Sequence, residues 1–365
     1  TIIFNTTPQA LATRQAFTVK TKIDPEVYGQ NINRNFSNQV TGRLLSQVDE
    51  SVLVSASSTR NVRITNTVIS KSSSIYNNYT PAQENNPRIN FSITINDNLM
   101  PLSNVWIEDD LSRIITEYKK AGESNFSVVP NVKWQYVPGS VTIVKNAGTR
   151  DNLDLNAIAN AVQYLNDDEN NVIGINFGSG IDVNDKYTIN FTVELIADEY
   201  EFLSESGAMR IRGNIGEIVA TGLRSGIVSS PATPNSSEIK NEVLNKYGVH
   251  SVAEQQAIWT INLNQYAITL NNPRVVDILP LGLTLDPTSI KLYKDVIGSN
   301  GNFLTGSNIE SQGTSVNFTY TYEISTATET QGRYILIVEL PDNNTAYILR
   351  FATDIDNSLL GQQIN

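Results

Sequence analysis

Two sets of lysine, aspartate and asparagine recur at corresponding places in this chain. Lys71 precedes a core strand, Asp109 sits inside an otherwise apolar strand, and Asn214 ends the run Met209-Arg-Ile-Arg-Gly-Asn214. The second set is Lys240, Asp277 and Asn365. Burial disfavours charge on an amine and on a carboxyl alike, so such a pair in an apolar core would be driven toward neutrality. Lys246 competes with Lys240 for the amine position, and Asn66 and Asn241 compete for the carboxamide. Other side-chain chemistry has little material. The chain has one histidine, His250, and no cysteine, so nucleophile–base pairs of the usual kind and thiolate metal sites have nothing to draw on. Asp167, Asp168 and Glu169 form an acidic run that could touch calcium. The run lacks the alternating carboxylates and central glycine of a calcium loop, and a solvated turn is the plainer reading. Asp109 and Asp110 point to opposite faces of a strand and cannot share a site. No cofactor is expected, and no enzyme acting on an external substrate.

The elements that must position these residues come as a repeat, offset by about 168 residues at its first two motifs. Phe91-Ser-Ile-Thr-Ile-Asn96, Val105-Trp-Ile-Glu-Asp109 and Pro138-Gly-Ser-Val-Thr-Ile-Val-Lys145 form the first copy. Trp259-Thr-Ile-Asn-Leu-Asn264, Arg274-Val-Val-Asp277 and Pro287-Thr-Ser-Ile-Lys-Leu-Tyr-Lys294 form the second. Thirteen positions separate Asn96 from Asp109, and thirteen separate Asn264 from Asp277. Upstream, Ile69-Ser-Lys71 matches Ile239-Lys240; downstream, Tyr187 to Phe191 matches Tyr347 to Phe351. A period this long denotes tandem domains rather than a solenoid.

Most apolar runs alternate with polar residues, as strands of half-buried antiparallel sheets do, and Asn-Pro and Gly-rich turns punctuate them. The expected fold is all-β: tandem immunoglobulin-like sandwiches in an elongated array. One helix is expected where Leu155, Ile158, Ala159, Val162 and Leu165 keep helical spacing, capped by Asp151 or Asp154. The expected boundaries are an N-terminal β segment at 1–66, a first sandwich at 67–228, a Pro-punctuated linker at 229–237 and a second sandwich at 238–365. Whether residues 1–66 form their own module or extra strands of the first sandwich stays open.

The chain has 365 residues, room for two or three domains, and a formal net charge of −11. No Lys/Arg cluster exceeds a pair, so a nucleic-acid partner, which needs a basic footprint, is not expected. No apolar run approaches the roughly 20 residues of a membrane span. Without a signal peptide or wall anchor, the sequence reads as a mature or trimmed piece.

The motifs Trp259-Thr-Ile-x-Leu-Asn264, Val275-Val-Asp-Ile-Leu-Pro-Leu-Gly-Leu283 and Ser289-Ile-Lys-Leu-Tyr293 resemble those of the collagen-adhesin family of Gram-positive surface proteins. The resemblance runs from about residue 67 to 365, and is stronger in the second copy. It implies an extracellular, cell-surface adhesin region that binds a host or matrix protein in a groove between two domains. It also implies internal Lys–Asn isopeptide bonds, each promoted by a buried carboxyl, with Lys71, Asp109 and Asn214 in one copy and Lys240, Asp277 and Asn365 in the other. Exposed aromatic residues stacking on sugars give a carbohydrate-binding module as a further reading.

The first copy continues after Asn214 with Ile215-Gly-Glu-Ile-Val-Ala-Thr221, a closing strand that the second copy lacks. The expectation is a truncated piece, or a strand supplied by a neighbouring copy through β-augmentation, with Thr1-Ile-Ile-Phe-Asn5 as donor. A structural stalk, fibre or surface-layer subunit is therefore the alternative function.

Overall fold

The computed structural model describes residues 32–45, 52–78, 86–167, 170–229 and 238–355. The chain divides into two compact units, Thr1–Thr67 and Val68–Asn365. The described part of the first unit is an antiparallel ribbon of Ile32–Leu45 and Val52–Asn66, with Ser37 opposite Asn61.

The second unit holds both copies, and its architecture is all-β. In the first copy one sheet runs in the order Thr142–Ala147, Lys186–Glu194, Arg88–Ile95, Ile69–Ile75. The opposing sheet runs Gln163–Asn166, Asn171–Asn176, Trp106–Asp110, Asn214–Ala220, Leu223–Ser229. Alternation in the Arg88–Ile95 strand decides which face is which. Ile89, Phe91, Ile93 and Ile95 are buried in the core, while the intervening residues form polar cross-strand pairs. Ser92 donates to Asn190 Oδ1 at 2.9 Å, Thr192 donates to Asn90 Oδ1 at 2.9 Å, and the Thr94 and Thr188 hydroxyls meet at 3.2 Å. Such pairs stabilise a sheet by a few tenths to about 1 kcal/mol each.

Residues 244–355 form two further sheets with comparable strand pairings. One sheet runs Leu244–Ser251, Gln256–Leu263, Tyr347–Ile355, Leu283–Lys294, Thr314–Val316, and faces a sheet of Arg274–Ile278, Tyr334–Glu339 and Thr319–Ile324. Phe91 pairs with Phe191 in the first copy and Trp259 with Phe351 in the second, as the repeat requires. The repeated asparagines have the same local role. Asn96 and Asn264 lie in the left-handed region, with φ of 58° and 56°. Each accepts from and donates to the backbone four residues on: Asn96 with Met100, Asn264 with Ile268. Asparagine tolerates that backbone and mimics a turn with its side chain, which is why it recurs at both strand ends.

The helix is shorter than its spacing suggests. Leu155–Asn160 is helical, with the Asp154 carboxylate accepting from the Ala157 amide at 3.0 Å. Gln163–Asn166 is instead a strand paired with Asn171–Asn176, so Val162 and Leu165 leave the helical register. The hairpin ladder and the packing of Tyr164 on Tyr136, at 5.4 Å between ring centroids, outweigh local helical spacing there. The expected linker lies almost wholly outside the described residues.

A carboxylate clamp closes the loop before this helix. Asp151 accepts from the amides of Asn184 and Asp185 (2.8 and 2.9 Å) and from the Tyr187 hydroxyl (3.0 Å). Asp185 in turn accepts from the Arg150 and Asp151 amides (3.0 and 2.9 Å) and pairs with Lys145 at 2.8 Å. Residue 148 must be glycine: its φ is +94°, and a β-carbon there would lie 1.7 Å from Asp185 Oδ1. Burial opposes ionisation of Asp151, but the donors from Asn184, Asp185 and Tyr187 outweigh it and hold the carboxyl below its usual value. Its contribution is therefore complete above the unfolded value near 3.9 and is lost as pH falls through the lower folded value. Asp151→Ala should cost about 3 kcal/mol at pH 7 by leaving buried donors unpartnered. Asp151→Asn should show less stability loss than wild type between pH 4 and pH 2, and urea denaturation at both pH values checks both expectations.

Candidate functional site

Lys71 lies on the edge strand Ile69–Ile75, opposite Ile93, and its chain crosses the sandwich interior to the facing sheet. There it meets Asp109, whose strand is flanked on both sides, with Ile173 paired to Asp109 in one neighbour and Gly216 in the other. Lys71 Nζ pairs with Asp109 Oδ2, and their side chains are 0% and 2% exposed. The surroundings are apolar: Lys71 Nζ sits 4.2 Å from the Phe91 ring centroid and 5.7 Å from that of Phe191. Gly216 leaves the passage open, since a β-carbon there would already touch Lys71 Cδ and Ile93 Cδ1 at 3.4 Å. Asn214, 1% exposed at the start of the same strand as Gly216, lies beside the Asp109 carboxyl and lowers its pKa slightly against the larger effect of burial. The fold thus brings Lys71, Asp109 and Asn214 together from three strands.

Desolvation dominates the electrostatics. Burial pushes the Lys71 ammonium below its usual pKa, against the pull of Asp109, and pushes the Asp109 carboxyl up, against the pull of Lys71. An amine pushed toward its neutral form, a carboxyl pushed toward its protonated form and a carboxamide thus share one dry pocket. Asp110 faces the other way and instead caps Ser112 and pairs with Arg113 at 2.9 Å.

The second copy corrects one assignment. Lys240 does not meet Asp277; it is exposed on a short strand, Ile239–Asn241, opposite Ala208. Lys246 takes the position, with Nζ 2.7 Å from both Asp277 oxygens, 4.4 Å from the Trp259 ring and 5.8 Å from the Phe351 ring. Lys246 pairs with Ile261 in the ladder as Lys71 pairs with Ile93. Counting along the chain misled because the preceding hairpins differ in length. The first copy connects residue 75 to 88, and the second connects 251 to 256. The signal available was Leu244-Asn-Lys246, which mirrors Ile69-Ser-Lys71.

The second centre is wetter, with Lys246 29% exposed at the side chain. Asp277 is flanked by Leu336 on one side, and among the described residues no strand pairs with the other. Asn365, the carboxamide expected there, lies outside the described residues, as do Asp168, Glu169 and the segment Thr1–Asn5. Asp167 holds a turn by accepting from the Asn170 amide at 2.7 Å. Among the described residues no three His, Asp or Glu side chains cluster as metal ligands, and His250 is exposed on the Leu244–Ser251 strand.

A cleft of about 480 Å³ opens between the copies. Ile75 and Arg88 line it from the first copy, and Lys240, Tyr247, Asn262 and Phe303 from the second. Arg88 is held by Glu194 at 2.8 Å. Lys240, expected in a crosslink, is therefore a cleft residue.

Replacing Lys71 leaves a buried carboxyl whose pKa stays raised. A raised carboxyl contributes most below its unfolded value and loses that contribution as pH rises through the folded value. Lys71→Met should therefore be more stable at pH 5 than at pH 8, and should fall about 3–5 kcal/mol below wild type at pH 8. Denaturant unfolding of both proteins at the two pH values checks this.

Comparison with known proteins bears mainly on the second copy. No curated protein sequence matches the chain. Among solved structures, the collagen adhesin of S. aureus aligns over 81% of this chain and 82% of its own, at 10% identity and a TM-score of 0.20. An Enterococcus faecalis adhesin, described as binding its ligands by a collagen hug, aligns over 76% and 79% at 12% identity and a TM-score of 0.22. A C-terminal fragment of the major pilin of Streptococcus agalactiae aligns over 79% and 80% at 11% identity and a TM-score of 0.25. No helix among the described residues is long and apolar enough to cross a membrane. Residues 241–365 match the family model described as a collagen binding domain, a binding module and not an enzyme, and the second copy is similar to it.

Proposed function

We propose that the chain is the ligand-binding region of a bacterial cell-surface adhesin, that collagen is its ligand, and that the cleft between the copies receives it. The observation that carries this reading is the match of residues 241–365 to a collagen binding domain. The cleft supports it: it is lined from both copies and carries both aromatic and polar groups, as binding sites do.

The buried Lys71, Asp109 and Asn214 support a second part of the reading, an internal crosslink. The proton of the Lys71 ammonium passes to Asp109, and the neutral Nζ attacks Cγ of Asn214. Protonated Asp109 hydrogen-bonds the carboxamide oxygen and delivers its proton to the leaving nitrogen, and the carboxylate so formed takes the proton that Nζ gives up as it becomes an amide. The Cγ–N bond of the carboxamide breaks, the Nζ–Cγ amide forms, and ammonia departs. The tie joins the first strand of the copy to the strand beginning at Asn214, closing a loop of the kind that a disulfide closes. Lys246 and Asp277 occupy the same positions in the second copy. An adhesin held under flow is pulled through its chain, and such ties keep the sandwich strands from being peeled apart.

Two results test this. Surface plasmon resonance over immobilised fibrillar collagen should show saturable binding, weakened about tenfold or more by Tyr247→Ala in the cleft. Absence of binding by wild type would remove collagen as the ligand. Asp109→Asn keeps the shape of the centre but removes the proton carrier, and should lower stability by about 2–5 kcal/mol in thermal unfolding if a covalent tie is lost. An unchanged melting curve would contradict the crosslink.

A further inference from the structure

We propose that the outer face of one small sheet of the first copy is a second binding surface, and that it takes a sulfated polysaccharide of the extracellular matrix on two arginines held side by side by Glu117. The inference does not use the collagen reading and stands or falls apart from it.

The sheet runs in the order Ile239–Asn241, Gly207–Arg212, Ile115–Lys120, Ser127–Val129. Alternation along its strands separates two faces. Tyr118, Met209, Ile211 and Ile239 are buried in the core of the first copy. The alternate positions form the outer face and carry charge. Glu117 lies opposite Arg210, and Lys119 and Lys240 flank Ala208 from either side, with Arg212 further along the middle strand.

The Glu117 carboxylate, 9% exposed, takes one arginine on each oxygen: Arg210 Nε donates to Oε2 at 2.7 Å and Arg212 Nε to Oε1 at 2.9 Å. Burial opposes its ionisation, but the two arginines outweigh it and hold the carboxyl below its usual value. Each arginine spends only Nε there. Among the described residues, the terminal Nη nitrogens of both meet no protein acceptor. The Phe126 ring centroid lies 4.2 Å from the Arg210 guanidinium carbon and 4.6 Å from Lys119 Nζ, which holds both cations further. Lys119 pairs with Glu238 at 3.3 Å, whereas Lys240, which also borders the cleft, meets no carboxylate among the described residues. Four cations thus stand against two carboxylates on one face of a chain whose net charge is −11. No run of cations in the sequence marks this face, because its members come from three strands.

Two guanidinium forks that converge on one carboxylate present their remaining N–H donors side by side, preorganised for an oxyanion. A sulfate ester offers three terminal oxygens, enough to meet both forks, whereas a carboxylate or a phosphodiester offers two. A peptide partner gains little main-chain pairing here, since the outermost strands Ile239–Asn241 and Ser127–Val129 have three residues each. Charges more than about 8 Å apart are largely screened at physiological ionic strength, so the acidic remainder of the chain does not cancel the local field. A polymer with repeated sulfates fits this surface better than an acidic peptide.

Surface plasmon resonance over immobilised heparin oligosaccharide tests the proposal. Wild type should bind saturably at about 0.15 M salt and lose most of that binding at about 0.5 M. Arg210→Lys with Arg212→Lys keeps every charge but removes the forks, and should weaken binding about fivefold. Arg210→Gln with Arg212→Gln should weaken it about tenfold or more. Lys291→Gln with Lys294→Gln removes the same charge from a strand of the second copy and should leave binding unchanged. Thermal unfolding of each variant confirms the fold without reference to collagen. Absence of wild-type binding, full affinity in the lysine-for-arginine variant, or an equal loss in the Lys291 and Lys294 variant overturns the site. Poly-glutamate competing as well as soluble heparin at equal charge overturns the polysaccharide and makes an acidic peptide the partner.

Discussion

A lysine amine buried beside a carboxyl in an apolar core sets the terms for the rest of the first copy. Neither group is charged at low cost in that place, and neither can be rehydrated without opening the sandwich. The surrounding residues follow from that constraint. Phe91 and Phe191 wall the amine, Gly216 leaves room for its methylenes, and Asn214 lies beside the carboxyl. Two facing sheets lie roughly 10 Å apart, a gap that a lysine side chain from one sheet and an aspartate from the other bridge together. The pair therefore joins the two sheets across the core.

The second copy applies the same design with different solvation. Lys246 stands over Trp259 and Phe351 as Lys71 stands over Phe91 and Phe191, and meets Asp277 with both oxygens. Its partial exposure keeps it in contact with water, whereas Lys71 has none. Chemistry that needs a neutral amine is accordingly favoured at the first centre in the described structure. The second copy also carries most of the residues that line the cleft.

Sequence reasoning reached the parts of this arrangement that depend on local pattern. The alternation of Arg88–Ile95, the repeated turn asparagines Asn96 and Asn264, the Asp154 cap and the aromatic strand pairs are all short-range signals with a physical cause. Lys71, Asp109 and Asn214 were singled out by their places in the repeated pattern, and their grouping into one centre was implied only by the family resemblance. Lys240 was mistaken for Lys246 because register is set by pairing across a hairpin, and the loops before the two equivalent strands differ in length. The helix was overextended because the strand partner that captures Gln163–Asn166 lies beyond the window in which helical spacing is read. The Asp151–Asp185 clamp left no periodic trace, since it gathers donors from segments far apart in the chain.

The central claim is that burial at Lys71, Asp109 and Asn214 drives a covalent bond. High-resolution mass spectrometry of the intact chain and of Lys71→Ala, followed by peptide mapping, tests it most directly. The account predicts a wild-type mass below the sequence mass by at least one ammonia, a deficit reduced by one ammonia in the variant, and a branched peptide joining residues 71 and 214. A wild-type mass equal to the sequence mass, or separate unbranched peptides carrying Lys71 and Asn214, would contradict it.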